Sequence, residues 1–213
     1  MSVFLLIRHA LNPAIGNFLP GRMPGVHLNE EGKAQAEKLV ERLGGISIDA
    51  IYCSPLERTF ETALPLARHL GLEVHTSENL LEVEIGGWTG FEMKQLVGNP
   101  LWLNYTTFRT GTRPPNGELL VEVQQRMVTE IERLRRQYPQ GTIAVISHAD
   151  PIKTVLAHYA GIPLDFLLRL EISLASVSVL SITDSGPKLL CVNWAVGPPA
   201  WFAAAFGGGK AKS

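Results

Sequence analysis

Two arginines and two histidines stand where apolar segments of this chain end. Val3–Ile7 (VFLLI) runs into Arg8-His9, a second segment ending at Cys53 runs into Ser54 with Arg58 one helical turn on, and a third runs into Ser147-His148. Arginine presents a planar fork of donors that matches phosphate oxygens, and it keeps its charge. Imidazole is a competent nucleophile towards phosphorus and a workable leaving group afterwards. Arginines beside it would neutralise the charge on the equatorial oxygens in the transition state. The combination points to phosphoryl transfer. A divalent metal is the rival reading of two histidines, usually with carboxylates. Neighbouring arginines would repel a cation, and no His-x-His or His-x-x-x-His spacing occurs, so no metal and no other cofactor is expected.

For these residues to meet, their segments must lie side by side. A run that is apolar on both faces suits a central strand of a parallel sheet covered by helices. Ligands of open α/β sheets bind outside the carboxyl ends of the strands, where helix N-termini also point. The intervening patterns are helical. Asn29 caps a helix expected to run to Leu43, with Glu30 and Glu31 in its first turn, a stripe of Ala36, Leu39, Val40 and Leu43, and Gly44-Gly45 as its stop. Ile46–Cys53 reads as a strand leading into Ser54-Pro55-Leu56-Glu57, with Ser54 as N-cap and Glu57 completing a capping box, for a helix to Leu70.

A short strand is expected at 73–76, and residues 77–117 show one short helical pattern, at 91–98. A long helix over 118–138, a buried strand at Thr142–Ser147 and a helix from Pro151 to Ala160 follow. Stretches 166–172, 175–183 and 187–192 read as strands nearer the sheet edge. The alternation predicts an α/β fold with a largely parallel sheet, as a single domain over 1–206 followed by a disordered tail at 207–213.

The chain has 213 residues, 46% hydrophobic and 18% charged, with a formal net charge of -1. That balance describes a globular protein and gives no field to attract nucleic acid or an anionic membrane. An anion must therefore be captured by a local arginine cluster. Cys53 and Cys191 are too few for a disulfide framework and read as free thiols in a reducing compartment. The apolar run before Arg8 is too short for a signal-peptide core or a membrane span, so a cytoplasmic location is expected.

The sequence resembles the histidine phosphatase superfamily, the phosphoglycerate mutase-like group, from Phe4 to about Pro163. The resemblance is carried by five stretches in order: Leu5-Leu6-Ile7-Arg8-His9-Ala10; Gly21-Arg22 with the following Leu28 to Ala36; Ser54-Pro55-Leu56-Glu57-Arg58 to Thr62-Ala63; Leu80-Leu81-Glu82 through Gly86-Gly87-Trp88-Thr89-Gly90; and Ile146-Ser147-His148-Ala149. It implies a three-layer α-β-α sandwich with a mostly parallel central sheet. It also implies that His9 is the nucleophile that becomes phosphorylated, with Arg8, Arg58 and His148 as the phosphate cage. Glu82 would be the proton donor, with Glu84 its rival on the same face of an extended segment. An asparagine after the first motif would touch phosphate: Asn17 is the candidate and Asn12 the alternative. Arg22 and Ala149 complete the expected substrate contacts.

Departures from the family pattern are Ala10 and Ala149, where it has glycine after each histidine. Three functions are compatible with these residues. One is hydrolysis of a small phosphate monoester, the second is a mutase reaction, and the third is a weakly active or non-catalytic phosphate-binding protein, suggested by the two alanines. Mutase relatives carry a longer insertion with an Arg-Arg pair. The segment between Gly90 and Pro115 is short and lacks one, which favours hydrolysis. Trp102, Tyr105, Phe108, Arg109 and Arg113 within it read equally as a substrate entrance or as a packed loop, and Trp88 as a packing anchor. The expected partner is a small phosphorylated molecule. Oligomeric state is left open, a dimer being one option.

Overall fold

In the computed structural model, which describes residues 1–195, six strands form one sheet in the order β3-β2-β4-β1-β5-β6. The first strand, β1 (Ser2–Arg8), pairs in parallel with β4 (Thr142–Ser147), which pairs in parallel with β2 (Ala50–Cys53), and β2 with β3 (Val74–Thr76). On the other side of β1, β5 (Val177–Thr183) pairs antiparallel with β1, and β6 (Gly186–Trp194) pairs antiparallel with β5. The mostly parallel expectation holds for the half of the sheet that carries the chemistry. The tail expected at 207–213, and the boundary at 206, lie outside the described residues.

Alternate side chains of the central strands enter two separate cores, as a pleated sheet requires. Phe4, Leu6, Ile143 and Val145 pack with α5 (Leu120–Gln137) and α6 (Ala149–Ala160). Leu5, Ile7, Ala144 and Ile146 pack with α1 (Glu30–Leu43) and α2 (Glu57–Leu70). This is the expected three-layer arrangement. Among the described residues, no helix is long and apolar enough to cross a membrane.

Helix α1 begins where expected, with the Asn29 side chain accepting from the Gly32 amide. Three expectations need correction. Helix α2 starts at Glu57 with Leu56 as N-cap, because the Ser54 hydroxyl is 3.0 Å from His148 Nε2 and the Glu57 carboxylate accepts from the Gly25 amide. Residues 164–169 form a 3₁₀ helix rather than a strand, and the Asp165 carboxylate there accepts hydrogen bonds from the Thr110 amide and hydroxyl. The region 77–117 holds α3 (Met93–Leu96) and a further helix, α4 (Pro100–Thr107), capped by Asn99. Helix α4 brings Trp102 and Tyr105 against Trp88, with ring centroids 5.2 and 5.3 Å from it.

Candidate active site

Sheet register brings the polar strand ends to one level. Arg8 sits opposite Ser147, and the His9 amide donates to the Ser147 carbonyl at 2.9 Å. Cys53 pairs with Ile146, and the Ser54 amide continues the ladder to the Ile146 carbonyl at 3.0 Å. His9 and His148 therefore face each other, with ring centroids 5.2 Å apart. Arg58, on the first turn of α2, donates from Nη2 to the Gly21 carbonyl, and Arg8 donates from Nη1 to the Ile172 carbonyl. Gly21 is needed for that turn: its φ is +48°, and a Cβ would come within 2.7 Å of the Ile85 side chain.

Hydrogen bonding fixes the state of His9. Its Nδ1 lies 2.8 Å from the Ala10 carbonyl, which can only accept, so Nδ1 carries the proton and Nε2 keeps its lone pair. Asn12, 1% exposed, packs beside the same nitrogen, while its Oδ1 accepts from the Ala14 amide. Burial, reinforced by Arg8 and Arg58, holds the His9 pKa well below its ordinary value. His148 is shifted the same way, first by burial and then by Arg58 and His9. Both rings are neutral at neutral pH.

Around these rings several buried nitrogens have no protein partner, His148 Nδ1 being the protonated one when the Ser54 hydroxyl, which accepts from the Leu56 amide, donates to Nε2. Arg8 Nε, Arg58 Nε and Nη1, and His148 Nδ1 are all shut away from solvent without a hydrogen bond. Buried polar groups in folded proteins are nearly always paired, and an unpaired one costs about 1–3 kcal/mol. A set gathered at one sheet edge can serve an acceptor brought by a ligand. Positive charge, a fork geometry and lone nitrogen donors specify an oxyanion such as phosphate.

Glu82 stands across from the histidines, with Oε2 3.8 Å from His148 Nδ1. Its Oε1 accepts from the Val83 amide. Burial, and then the charge of Asp150, raise its pKa, with Arg58 and Arg8 opposing. Glu82 is set in place from behind: its carbonyl accepts from Arg22 Nε and Arg126 Nη2, and both arginines are anchored on the Glu118 carboxylate.

The remaining expected contacts sort differently. Glu84 is engaged away from the histidines: its Oε1 accepts from the Gly86 amide and its Oε2 lies 3.8 Å from Arg22. Arg22 serves as the brace just described. Asn17 is exposed and gives its amide to the Pro13 carbonyl, whereas Asn12 is buried beside His9. Ala149, in the first turn of α6, lines a cavity of about 210 Å3 shared with Glu82 and Asp150. Neither Ala10 nor Ala149 has positive φ, and Ala10 is fully buried in the core beneath α1 and α2. The structure adds Asp150 and Arg126, which carry no local sequence signal for their roles, and it gives Ser54 and Thr62 their contacts, to the His148 ring and the Ala10 amide.

Comparison with known proteins agrees with this geometry. Residues 4–195 match the family model of the histidine phosphatase superfamily, branch 1. Phosphoserine phosphatase 1 of Hydrogenobacter thermophilus is 29% identical, over 91% of this chain and 92% of its own. A 2,3-bisphosphoglycerate-dependent phosphoglycerate mutase of Thermoplasma acidophilum is 26% identical, over 85% and 88%. The crystal structure of the alpha-ribazole phosphatase of Shigella flexneri superposes with a TM-score of 0.81 at 26% identity, covering 92% of this chain and 98% of that one. With its characteristic residues converging on one sheet edge and the match spanning all but a few of the described residues, this chain belongs to branch 1 of the histidine phosphatase superfamily.

Proposed function

We propose that this protein hydrolyses a small phosphate monoester through a phosphohistidine on His9. The observation that carries the reading is the group of buried, unpartnered donors of Arg8, Arg58 and His148 around a neutral His9. In the first step Nε2 of His9 attacks phosphorus, the P–O bond to the alcohol breaks, and protonated Glu82 gives its proton to the departing oxygen. In the second, Glu82, now a carboxylate, takes a proton from water, whose oxygen attacks phosphorus. The N–P bond breaks, releasing inorganic phosphate and restoring His9. The arginines and His148 hold the equatorial oxygens throughout.

Hydrolysis is favoured over a mutase reaction by the short segment between Gly90 and Pro115, which contains no Arg-Arg pair to grip a sugar acid. The phosphoserine and alpha-ribazole phosphatases it resembles support the same choice. The non-catalytic reading rests on Ala10 and Ala149; the Ala10 methyl is packed in the core, Ala149 lines the cavity beside Glu82, and the full set of Arg8, His9, Arg58, Glu82 and His148 supports catalysis over it. A cytoplasmic setting belongs to the proposal: Cys53 and Cys191 are both free, and burial pushes the Cys53 thiol up to about 12.

The test compares wild-type and His9→Ala protein on p-nitrophenyl phosphate, and on 3-phosphoglycerate with trace 2,3-bisphosphoglycerate. Phosphate release that falls by at least about 10³-fold in the variant, with loss of an acid-labile phosphoprotein, is expected. Isomerisation without release would establish the mutase instead.

A further inference from the structure

The cavity beside Glu82 carries information about the alcohol that leaves. Its volume is about 210 Å3, and Glu82 and Ala149 place it against the reaction centre. A cavity of ~150 Å3 already holds a benzene ring. Most of the wall is apolar: Leu19, Pro20, Val83, Ile85, Trp102 and Tyr105. Helix α4 supplies the two aromatic rings, locked edge-to-face against Trp88.

The charges in that wall have one sign. Besides Glu82, the ionisable group of the lining with a fixed charge is Asp150, whose pKa is lowered by Arg109 and Lys153 against the effect of its burial. No arginine or lysine is part of the lining, and that includes Arg109, the cation bonded to Asp150. Arg109 lies behind the wall, 3% exposed, with Nη2 bonded to the Tyr105 hydroxyl at 2.7 Å and to Asp150 at 2.6 Å. A carboxylate on the leaving group would therefore meet the charge of Asp150, with no arginine or lysine of the lining facing it. An apolar wall with like charge is how a pocket selects by rejection.

We propose that the substrate is the phosphate ester of a neutral, ring-bearing alcohol seated against Trp102 and Tyr105, and that esters of carboxylate-bearing alcohols are turned away by Asp150. The inference rests on the phosphatase reading and names the substrate class for the same site.

Three primary-alcohol esters of similar leaving-group reactivity separate the possibilities: 2-phenylethyl phosphate, 2-phosphoglycolate and 3-phosphoglycerate. Wild-type kcat/KM should favour 2-phenylethyl phosphate by at least about tenfold, the scale on which apolar pockets discriminate. Trp102→Ala should shrink that preference by about fivefold or more, through KM for the aromatic ester. Asp150→Asn should raise kcat/KM for 3-phosphoglycerate relative to 2-phenylethyl phosphate, because the repulsion is gone and Arg109 is released. Preference of the wild type for either acidic ester would overturn the inference while leaving the phosphatase reading intact. No His9-dependent turnover of any ester, p-nitrophenyl phosphate included, would overturn both. The wild-type ratio decides the matter even if Trp102→Ala fails to fold.

Discussion

Glu82 shows how one side chain is given two protonation states by its surroundings. Burial and Asp150 raise its pKa, whereas Arg58 and Arg8 restrain the rise. A phosphate dianion arriving beside it adds negative charge and pushes the value higher. The carboxyl is thus ready to donate when substrate is bound. Glu82→Gln keeps the shape and loses the proton. Its kcat for alkyl esters should fall by about 10²–10⁴-fold, and for p-nitrophenyl phosphate by much less, since that leaving group needs little help. An equal fall for both would remove Glu82 as the acid. The same substitution should affect stability. A carboxyl whose folded pKa is raised destabilises the fold above that value and not below its unfolded value of about 4.3. Thermal melts should therefore find Glu82→Gln more stable than wild type at about pH 8, with the gain gone by about pH 4.

At the scale of elements, the joint between β1 and α2 decides whether the cage is aligned. The Ala10 amide donates to Thr62 Oγ1 at 2.9 Å, and that hydroxyl donates to the Arg58 carbonyl at 2.6 Å. One threonine therefore ties the chain after His9 to the turn carrying Arg58. Thr62→Val leaves the buried Ala10 amide without a partner and should cost about 1–3 kcal/mol in urea denaturation. Ala10→Gly restores the family's residue, yet it removes a core methyl from a residue without positive φ. It should destabilise by about 1 kcal/mol and leave kcat unchanged; a marked rise in kcat would show that the methyl obstructs the pocket. Much of this joint was legible in the chain, because apolar runs ending in Arg8-His9, Ser54 and Ser147-His148 identify strands and their site together. The capping assignment at Ser54 misled, since a serine before proline satisfies helix-start chemistry while its hydroxyl is engaged across the sheet by His148. Asn12 and Asn17 could not be separated, because the loop has no periodicity and burial alone distinguishes them. Helix α4 is not among the elements read from the chain, because it is short and is stabilised by the Trp88 contacts, which are tertiary.

Over the whole molecule, folding and anion binding share the same charged groups. A chain of net charge -1 concentrates Arg8, Arg58, His9 and His148 at one sheet edge, where both rings are buried as neutral bases. A histidine with a lowered folded pKa destabilises the fold as pH drops below the ordinary value of 6.5, because the unfolded chain takes protons that the folded one refuses. Glu82 acts in the opposite direction, as does His27, which Glu61 raises but which is solvent-exposed and acts mostly above pH 6.5, and the depressed carboxylates such as Glu118 and Asp150 add their losses only at lower pH. Between about pH 6.5 and 5 stability should therefore fall, with a limit of about 2.7 kcal/mol per pH unit for two protons. Inorganic phosphate changes this twice. It stabilises the folded state by mass action, and its charge favours protonated His9 and His148, so the folded chain can take the same protons as the unfolded one. Urea midpoints measured at about pH 7.5, 6 and 5, with and without phosphate, should converge on a flatter profile when phosphate is present. His148→Asn should remove one proton from the slope without phosphate. A profile equally steep with and without phosphate would mean that the anion does not bind beside the two histidines, and that the unpartnered donors serve some other group.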